Sequence, residues 1–330
     1  MFQYKFNEAE DGSLLFEQLK KGRSVKAPKY AYCSDTVYVY CPESKLNLLK
    51  NSLKEYNVNF IFNDYSLVNL DKKIITHFDN SMLSEEKRSF LVTATELGAW
   101  VEPLVSYLDK RMGYTEVTLL QSSYFLHQKA FSILNNKRTQ VSKRIIDLLL
   151  ATFLILLFSP IALVVYILIR LDSPGPAIYK QKRVGQYNEE FKIINFRSMR
   201  IDAEHDGAKW AKENDDRVTK IGHFIRKTRI DEIPQLINVI RGEMSMVGPR
   251  PEREVFIEQL EESIPYYRFR HAVKPGVTGL AQIRYPYGAS LNDAIWKHKY
   301  DIHYIKHHST LHDLKIIFKT IKVVILGMGR

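Results

Sequence analysis

Cysteine is almost missing from this chain: Cys33 and Cys41 are the only two in 330 residues. That excludes a disulfide framework and points to a reducing compartment. Met1 to Glu10 hold no apolar core of a signal peptide, so residues 1–140 are expected to stay in the cytoplasm. Zinc-finger spacing, RNP-type strands and a long basic arm are also absent. Nucleic acid is therefore the weakest of the anionic partners that a net charge of +11 would suit. A lipid surface or a phosphorylated substrate fits that charge better. Internal repeats and low-complexity tracts are lacking too. Long uncharged runs are missing with a single exception.

The exception is residues 148–169, 22 positions without a charge, with Ser159-Pro160 at the midpoint. Pro160 has no amide hydrogen and its ring crowds the carbonyl four residues back, so a kink is predicted there. The Ser159 hydroxyl is placed to take the carbonyl that the kink weakens. Lys137, Arg138, Lys143 and Arg144 precede the run; Arg170, Lys180, Lys182 and Arg183 follow it. Lys/Arg-rich flanks prefer the cytoplasmic side. A straight span sends one flank outward, whereas a helix-break-helix hairpin keeps both inside. The two halves, if helical, extend about 16 Å and 14 Å, each roughly one leaflet of a ~30 Å core. Arg144 and Asp147, three apart, are expected to pair at the interface. A kinked ordinary span stays open on these grounds alone.

Residues 1–140 read as a small soluble module. Strands are predicted at 36–41 and 58–62 around a helix at 43–56, an α/β-like unit. No Gly-rich turn joins the first strand to the helix, so a dinucleotide site is not expected. Residues 85–135 read as helical, with Leu91, Leu97, Trp100, Leu104 and Leu108 as an amphipathic core face.

The chemistry-bearing residues lie in 171–330. Asp172-Ser-Pro-Gly-Pro-Ala is a turn-rich opening. Residues 179–199 then mix strand-like stretches with Lys180, Lys182, Arg183, Lys192 and Arg197. Such a run is usually a solvated face, but beside a membrane segment phosphate or anionic-lipid contact competes. In Arg229-Ile-Asp-Glu-Ile-Pro-Gln, Asp231 is expected to cap a helix whose first turn holds Pro234. Ile233, Leu236, Ile237 and Ile240 supply its apolar face up to Gly242. Two carboxylates at a helix N-terminus are expected to have lowered pKa values. An ionised Asp beside a Glu can bind Mg²⁺ or attack phosphorus. Most Asp-Glu pairs merely cap or decorate a surface, so the setting decides. Two prolines in Met244-Ser-Met-Val-Gly-Pro-Arg-Pro fix a loop and aim Arg250, which suits bidentate phosphate binding. Arg268, Arg270 and Lys274 follow, beside a Pro-Gly turn.

Near the C-terminus, Lys315, Lys319 and Lys322 share one helical face, and Ile317, Ile321, Val324 and Ile325 another. A helix in the headgroup layer and a core-packing helix with a lysine-rich solvent side both fit. His303/His307 and His308/His312 are spaced for zinc. No acid or cysteine motif accompanies them, so solvated or interfacial histidines are expected.

Taken in order, Lys143-Arg-Ile-Ile-Asp, Ser159-Pro160, Ser173-Pro-Gly-Pro, Phe196-Arg-Ser-Met, Arg229-Ile-Asp-Glu-Ile-Pro-Gln, Val247-Gly-Pro-Arg-Pro and Lys274-Pro-Gly-Val-Thr-Gly resemble the bacterial sugar transferases. These are the monotopic phosphoglycosyl transferases that act on polyprenyl phosphate. The resemblance covers about residues 140–330. Tyr285-Pro-Tyr-Gly-Ala-Ser and Tyr300-Asp-Ile-His-Tyr-Ile are similar to members tied to exopolysaccharide synthesis.

The resemblance implies an α+β chain: a small α/β-like N-terminal domain (1–140), a re-entrant membrane helix broken at Ser159-Pro160 (141–172) and a mainly helical cytoplasmic catalytic domain (173–330). It implies that Asp231 attacks the β-phosphate of a UDP-sugar, expels UMP and holds the phosphosugar until undecaprenyl phosphate takes it. Mg²⁺ would sit at Asp231 and Glu232. Arg250 and Arg270 become phosphate-binding candidates, with Lys192, Arg197, Arg229 and Gln235 behind them. Arg144, Asp147, Ser159 and Pro160 would anchor the helix in membrane lipid at the cytoplasmic face of a bacterial inner membrane. The four transmembrane helices of larger relatives have no counterpart here, and residues 1–140 are a candidate reduced regulatory module. Leu280 stands where the family often has Trp. A non-catalytic membrane scaffold and a UDP-releasing glycosyltransferase are the rival readings. The intact Asp231-Glu232 and Arg250 loop disfavour the first, and the lack of a separate nucleotide-sugar domain disfavours the second. The sugar, and whether the protein forms a homo-oligomer, stay undecided.

Overall fold

The strand Thr36–Tyr40 (β1) carries only Val and Tyr after Thr36, and Val37, Val39 and Tyr40 are wholly buried. Burial on both faces is the signature of a parallel strand. The computed structural model, which describes residues 36–66, 70–121, 124–125, 137–203, 215–285, 288 and 290–325, bears this out. β1 leads through Pro42 into α1 (Glu43–Leu53) and β2 (Asn59–Phe62), then β3 (Ile74–His77), α2 (Glu85–Glu96), β4 (Trp100–Pro103) and α3 (Leu104–Met112). All pairs are parallel, in the order β2-β1-β3-β4. The predicted strand-helix-strand unit is present.

The helical reading of 85–135 holds only in part. α2 stops at Glu96, and Gly98, at φ +90°, turns the chain out of it. Trp100 then enters β4 beside Ile74. Leu91, Leu104 and Leu108 are core residues, but Leu97 and Trp100 are more than half exposed. Strand pairing overrode the helical spacing. Most of 122–136 lies outside the described residues, as does Cys33.

The chain divides into two compact units, Met1–Gln121 and Ser122–Arg330. In the second, the described residues from 137 onward begin with α4 (Lys137–Asp172), 36 residues long. There follow a hairpin of β5 (Ile178–Val184) and β6 (Glu190–Phe196), α5 (Lys220–Lys227), one 3₁₀ turn (Ile230–Glu232), α6 (Gln235–Arg241) and β7 (Ser245–Val247). Then come α7 (Glu254–Glu261), a 3₁₀ stretch (Tyr267–Ala272), β8 (Gly276–Thr278), α8 (Leu280–Arg284), α9 (Leu291–Lys306) and α10 (Thr310–Ile325).

α4 stays helical through Ser159-Pro160, where the sequence predicts a break. The reason is visible locally. Pro160 cannot donate to the Leu156 carbonyl, and the Ser159 hydroxyl donates to that carbonyl instead, at 2.9 Å. Among the described residues this is the helix long and apolar enough to cross a membrane. Its middle, residues 152–164, buries no side chain, and Leu149, Leu156 and Leu163 are each over 60% exposed.

The two ends of α4 are docked. The expected Arg144–Asp147 pair is replaced by two separate attachments. Arg144 donates to the carbonyls of Val239 (2.6 Å) and Ile240 (2.8 Å), which close α6. Asp147 Oδ1 accepts from the Met246 amide of β7 at 3.0 Å. Helix-end carbonyls and a strand amide are stronger claimants than a neighbour on the same helix. Lys143 joins them, donating to the Val247 carbonyl and pairing with Asp313 at 2.7 Å. At the far end, Val165 and Ile169 pack with Ala177, Phe196 and Ile225.

Distant motifs turn out to be halves of one structure. Gly175 of the Ser-Pro-Gly-Pro turn sits at φ +109°, and a Cβ there would meet the Arg197 guanidinium at 2.4 Å. Gly248 and Gly276 face each other, a Cβ on Gly276 falling 2.1 Å from the Gly248 nitrogen. Only glycines let the Val247-Gly-Pro-Arg-Pro loop lie against Lys274-Pro-Gly.

In α10 the packed side is Asp313, Ile316 and Thr320, the last hydrogen-bonded to Thr278 at 2.7 Å. On the isoleucine face expected to be apolar, Ile317 is partly buried and Ile321 half exposed. The side chains of Val324 and Ile325 lie outside the described residues. His308 Nε2 stands 3.0 Å from Asp313, and His312 Nδ1 lies 3.2 Å from the His307 carbonyl.

Candidate active site

Arg229 adopts the left-handed conformation, φ 59° and ψ 15°, immediately after α5. A non-glycine residue there is strained, which the surrounding contacts must hold. The turn swings Asp231 and Glu232 onto the 3₁₀ segment, with Pro234 as the cap of α6. Asp231 is thus not the helix cap that the sequence suggests. α6 has only seven residues, so its dipole is a minor influence.

The dyad is asymmetric. Glu232 Oε1 accepts from Arg250 Nη2 at 2.8 Å and from Arg229 Nη1 at 3.2 Å. Burial alone would raise its pKa, but Arg250 and Arg229 outweigh that and hold it below the usual carboxylate range. Asp231 goes the other way. Burial first, then the Glu232 charge, push it up to about 7, against Arg250, Arg226 and Arg229. The expected dipole-lowered Asp231 is therefore corrected to a raised one. Its Oδ1 is buried with no hydrogen-bond partner among the described residues. Such an atom is costly unless a ligand uses it.

Of the other expected site residues, some converge on the dyad and some do not. Gln235, one turn on, is buried and donates to Asn195 Oδ1 at 2.8 Å, tying α6 to β6. Asn238 repeats this, donating to the Lys192 carbonyl and accepting from the Ile194 amide. The Lys192 side chain is exposed, opposite Lys182 in the hairpin register. Arg197 donates to the carbonyls of Pro174 (2.6 Å), Ser173 (2.7 Å) and Ile169 (3.4 Å), closing the end of α4. Arg270 is 3% exposed; it holds Asp301 through two nitrogens at 2.8 Å and 3.1 Å and donates to the Arg250 carbonyl. Both guanidinium groups are committed to protein oxygens, Arg270 through all three nitrogens and Arg197 through its two terminal ones.

Two contributors escape sequence reasoning. Arg226 acts on Asp231 from α5, yet in the sequence it is one basic residue among several. Asp301 supports Arg250 through Arg270, and only the Tyr300-Asp-Ile-His motif hinted at it.

Residues 138–327 match the family described as bacterial sugar transferase. An Aeromonas hydrophila UDP-N-acetylgalactosamine-undecaprenyl-phosphate N-acetylgalactosaminephosphotransferase is 46% identical over 187 residues, 57% of this chain and 44% of that protein. An Escherichia coli UDP-glucose:undecaprenyl-phosphate glucose-1-phosphate transferase is 42% identical over 181 residues, 54% and 39% of the two chains. The exopolysaccharide production protein PSS of Rhizobium leguminosarum is 40% identical over 187 residues, 55% of this chain and 94% of that one. The chain thus spans less than half the length of the first two. All three alignments exceed half of this chain, and the family match contains the dyad, the Arg250 loop and all of α4 but its first residue. The chain belongs to the bacterial sugar transferase family.

Proposed function

We propose that this protein transfers a sugar 1-phosphate from a UDP-sugar to undecaprenyl phosphate, with release of UMP, at the start of an exopolysaccharide or related glycan. The observation that carries this reading is the orphaned, buried Oδ1 of Asp231 beside a Glu232 already held by two arginines. That oxygen attacks the sugar-bearing β-phosphorus. The bond from that phosphorus to the bridging oxygen breaks, and UMP leaves with the electron pair. The phosphosugar stays on Asp231 as an acyl phosphate. A lipid phosphate oxygen then attacks the same phosphorus, and the Asp231 carboxylate is released.

A carboxyl poised near neutral pH is available as an anion yet is not overstabilised, the balance a nucleophile needs. Arg250, Arg229 and Arg226 offset the negative charge that the diphosphate brings. Mg²⁺ favours one or two carboxylates plus waters and substrate phosphates. The unpartnered Asp231 oxygen next to Glu232 fits that demand, so these two residues would hold it. When bound, the ion would neutralise the diphosphate.

The docking of α4 supports the membrane placement. Arg144 and Asp147 at one end, and Val165 and Ile169 at the other, join the same folded unit. A straight crossing of a ~30 Å core would require that unit on both sides of the bilayer. A helix lodged in one leaflet, with both ends on the cytoplasmic side, avoids this. It also keeps Asp231 where a soluble nucleotide-sugar and a lipid phosphate meet.

The test is UMP release from a panel of UDP-sugars with undecaprenyl phosphate and Mg²⁺. Asp231→Asn is expected to lower it by about 10⁴-fold or more. Full activity in that variant, or UDP as the product, would overturn the reading.

A further inference from the structure

A cavity of about 320 Å³ opens among α8, the end of α9 and α10. That is the lower end of the size range of small-ligand sites. Leu280, Ile283 and Ile316 give it an apolar floor, and Arg284, Lys315 and Lys319 stand around it. None of the described residues that line it is acidic. The nearest carboxylate along α10, Asp313, is spent elsewhere: it accepts from Tyr304, Lys143 and His308. The three cations are close enough to feel one another. Burial, then Arg284 and Lys315, lower the proton affinity of Lys319. A solvated lysine face normally spreads its charge. Here like charges border one hollow with an apolar floor, which focuses the field on whatever enters it.

Position says what enters. Asp313 is pinned to Lys143 at 2.7 Å. Lys143 lies five residues before Leu148, where the uncharged run begins, about 7.5 Å along the helix. Leu311, Phe318 and Ile321 of α10 are all at least half exposed beside the cavity's cations. An apolar fringe with lysines at the foot of a membrane helix is the setting of lipid headgroups.

We propose that this cavity binds the phosphate of a membrane lipid, Arg284, Lys315 and Lys319 taking its oxygens and the apolar floor its first methylenes. The proposal rests on the membrane placement of α4 argued above. It is tested on the full chain in vesicles carrying a diazirine-bearing prenyl phosphate or a diazirine-bearing phosphatidylglycerol, with the labelled peptides mapped by mass spectrometry. Label is expected on residues 280–319. In the exposed-site variant Arg284→Gln/Lys315→Gln/Lys319→Gln it should fall roughly a hundredfold, about a factor of five per basic contact. The charge-keeping variant Arg284→Lys/Lys315→Arg/Lys319→Arg should retain it. Preference for the prenyl probe identifies the acceptor lipid, and equal use of both probes identifies bulk anionic lipid; either upholds the site. Equal labelling of the glutamine variant, or protection by inorganic phosphate as strong as by lipid, overturns it. Vesicle flotation separates the two readings: protein that floats without cavity labelling sinks this proposal alone, and protein that does not float sinks the membrane placement with it.

Discussion

The arginines around the dyad and those that build the frame behind it differ in what they face. Arg229 and Arg250 keep about a third of their side chains exposed and meet at Glu232. Arg270 keeps 3%, and it, Arg144 and Arg197 donate to backbone carbonyls. All five sit in motifs of similar appearance. The difference teaches that a motif arginine in this chain is not by its motif alone a phosphate ligand. Burial and the number of protein oxygens within reach set how much of each guanidinium stays at the surface.

Breaking the frame should cost the most. Arg270→Leu leaves Asp301 charged and buried, and is expected to lower stability by about 3–5 kcal/mol, seen as a large drop in Tm. The double variant Arg270→Leu/Asp301→Leu should recover much of that loss. An unmoved Tm in the single variant would erase the distinction between the two regions. On the dyad side, Arg250→Ala should lower UMP release by about 10²–10³-fold while Tm changes little. If it instead unfolds the protein, Arg250 belongs with the frame.

Arg144→Ala is a smaller test. It strips donors from the Val239 and Ile240 carbonyls, for a loss of about 1–3 kcal/mol. Because those carbonyls end the helix that carries the dyad, activity should fall alongside Tm. The mildest effect is on pH dependence. The Asp231 pKa is raised in the fold from 3.8 to about 7. Its contribution to stability is therefore full below the unfolded value and is lost as pH rises through about 7. In chelator-treated protein, Asp231→Asn should gain on the parent between about pH 5 and pH 8, by on the order of 1–3 kcal/mol. Added Mg²⁺ should narrow that gap, and a constant difference across the range would remove the raised Asp231.

Much of this was legible in the residues. The uncharged run, the proline at its centre and the hydroxyl beside it are local facts, and the Ser159–Leu156 hydrogen bond is their consequence. The β1-α1-β2 unit was readable because parallel strands carry continuous apolar runs. Trp100 was misplaced because its helical spacing competes with pairing to β3, which lies 26 positions earlier at Ile74. Asp231 was given the wrong pKa direction because the sequence shows a helix start but not how deeply the pair is enclosed. Asp301 and Arg226 stayed hidden because nothing local separates a supporting charge from a solvated one.

By itself the sequence determined the features that depend on short stretches of chain: an apolar anchor, a carboxylate pair after a turn, and loops set by proline and glycine. Tertiary structure decided which charges act. Arg144 finds its carbonyls 95 and 96 residues away, Asp147 its amide 99 residues away, and Arg270 its carboxylate 31 residues away. Contacts at such separations set burial and pairing, and these in turn set the ionisation of Asp231 and the guanidinium groups that surround it.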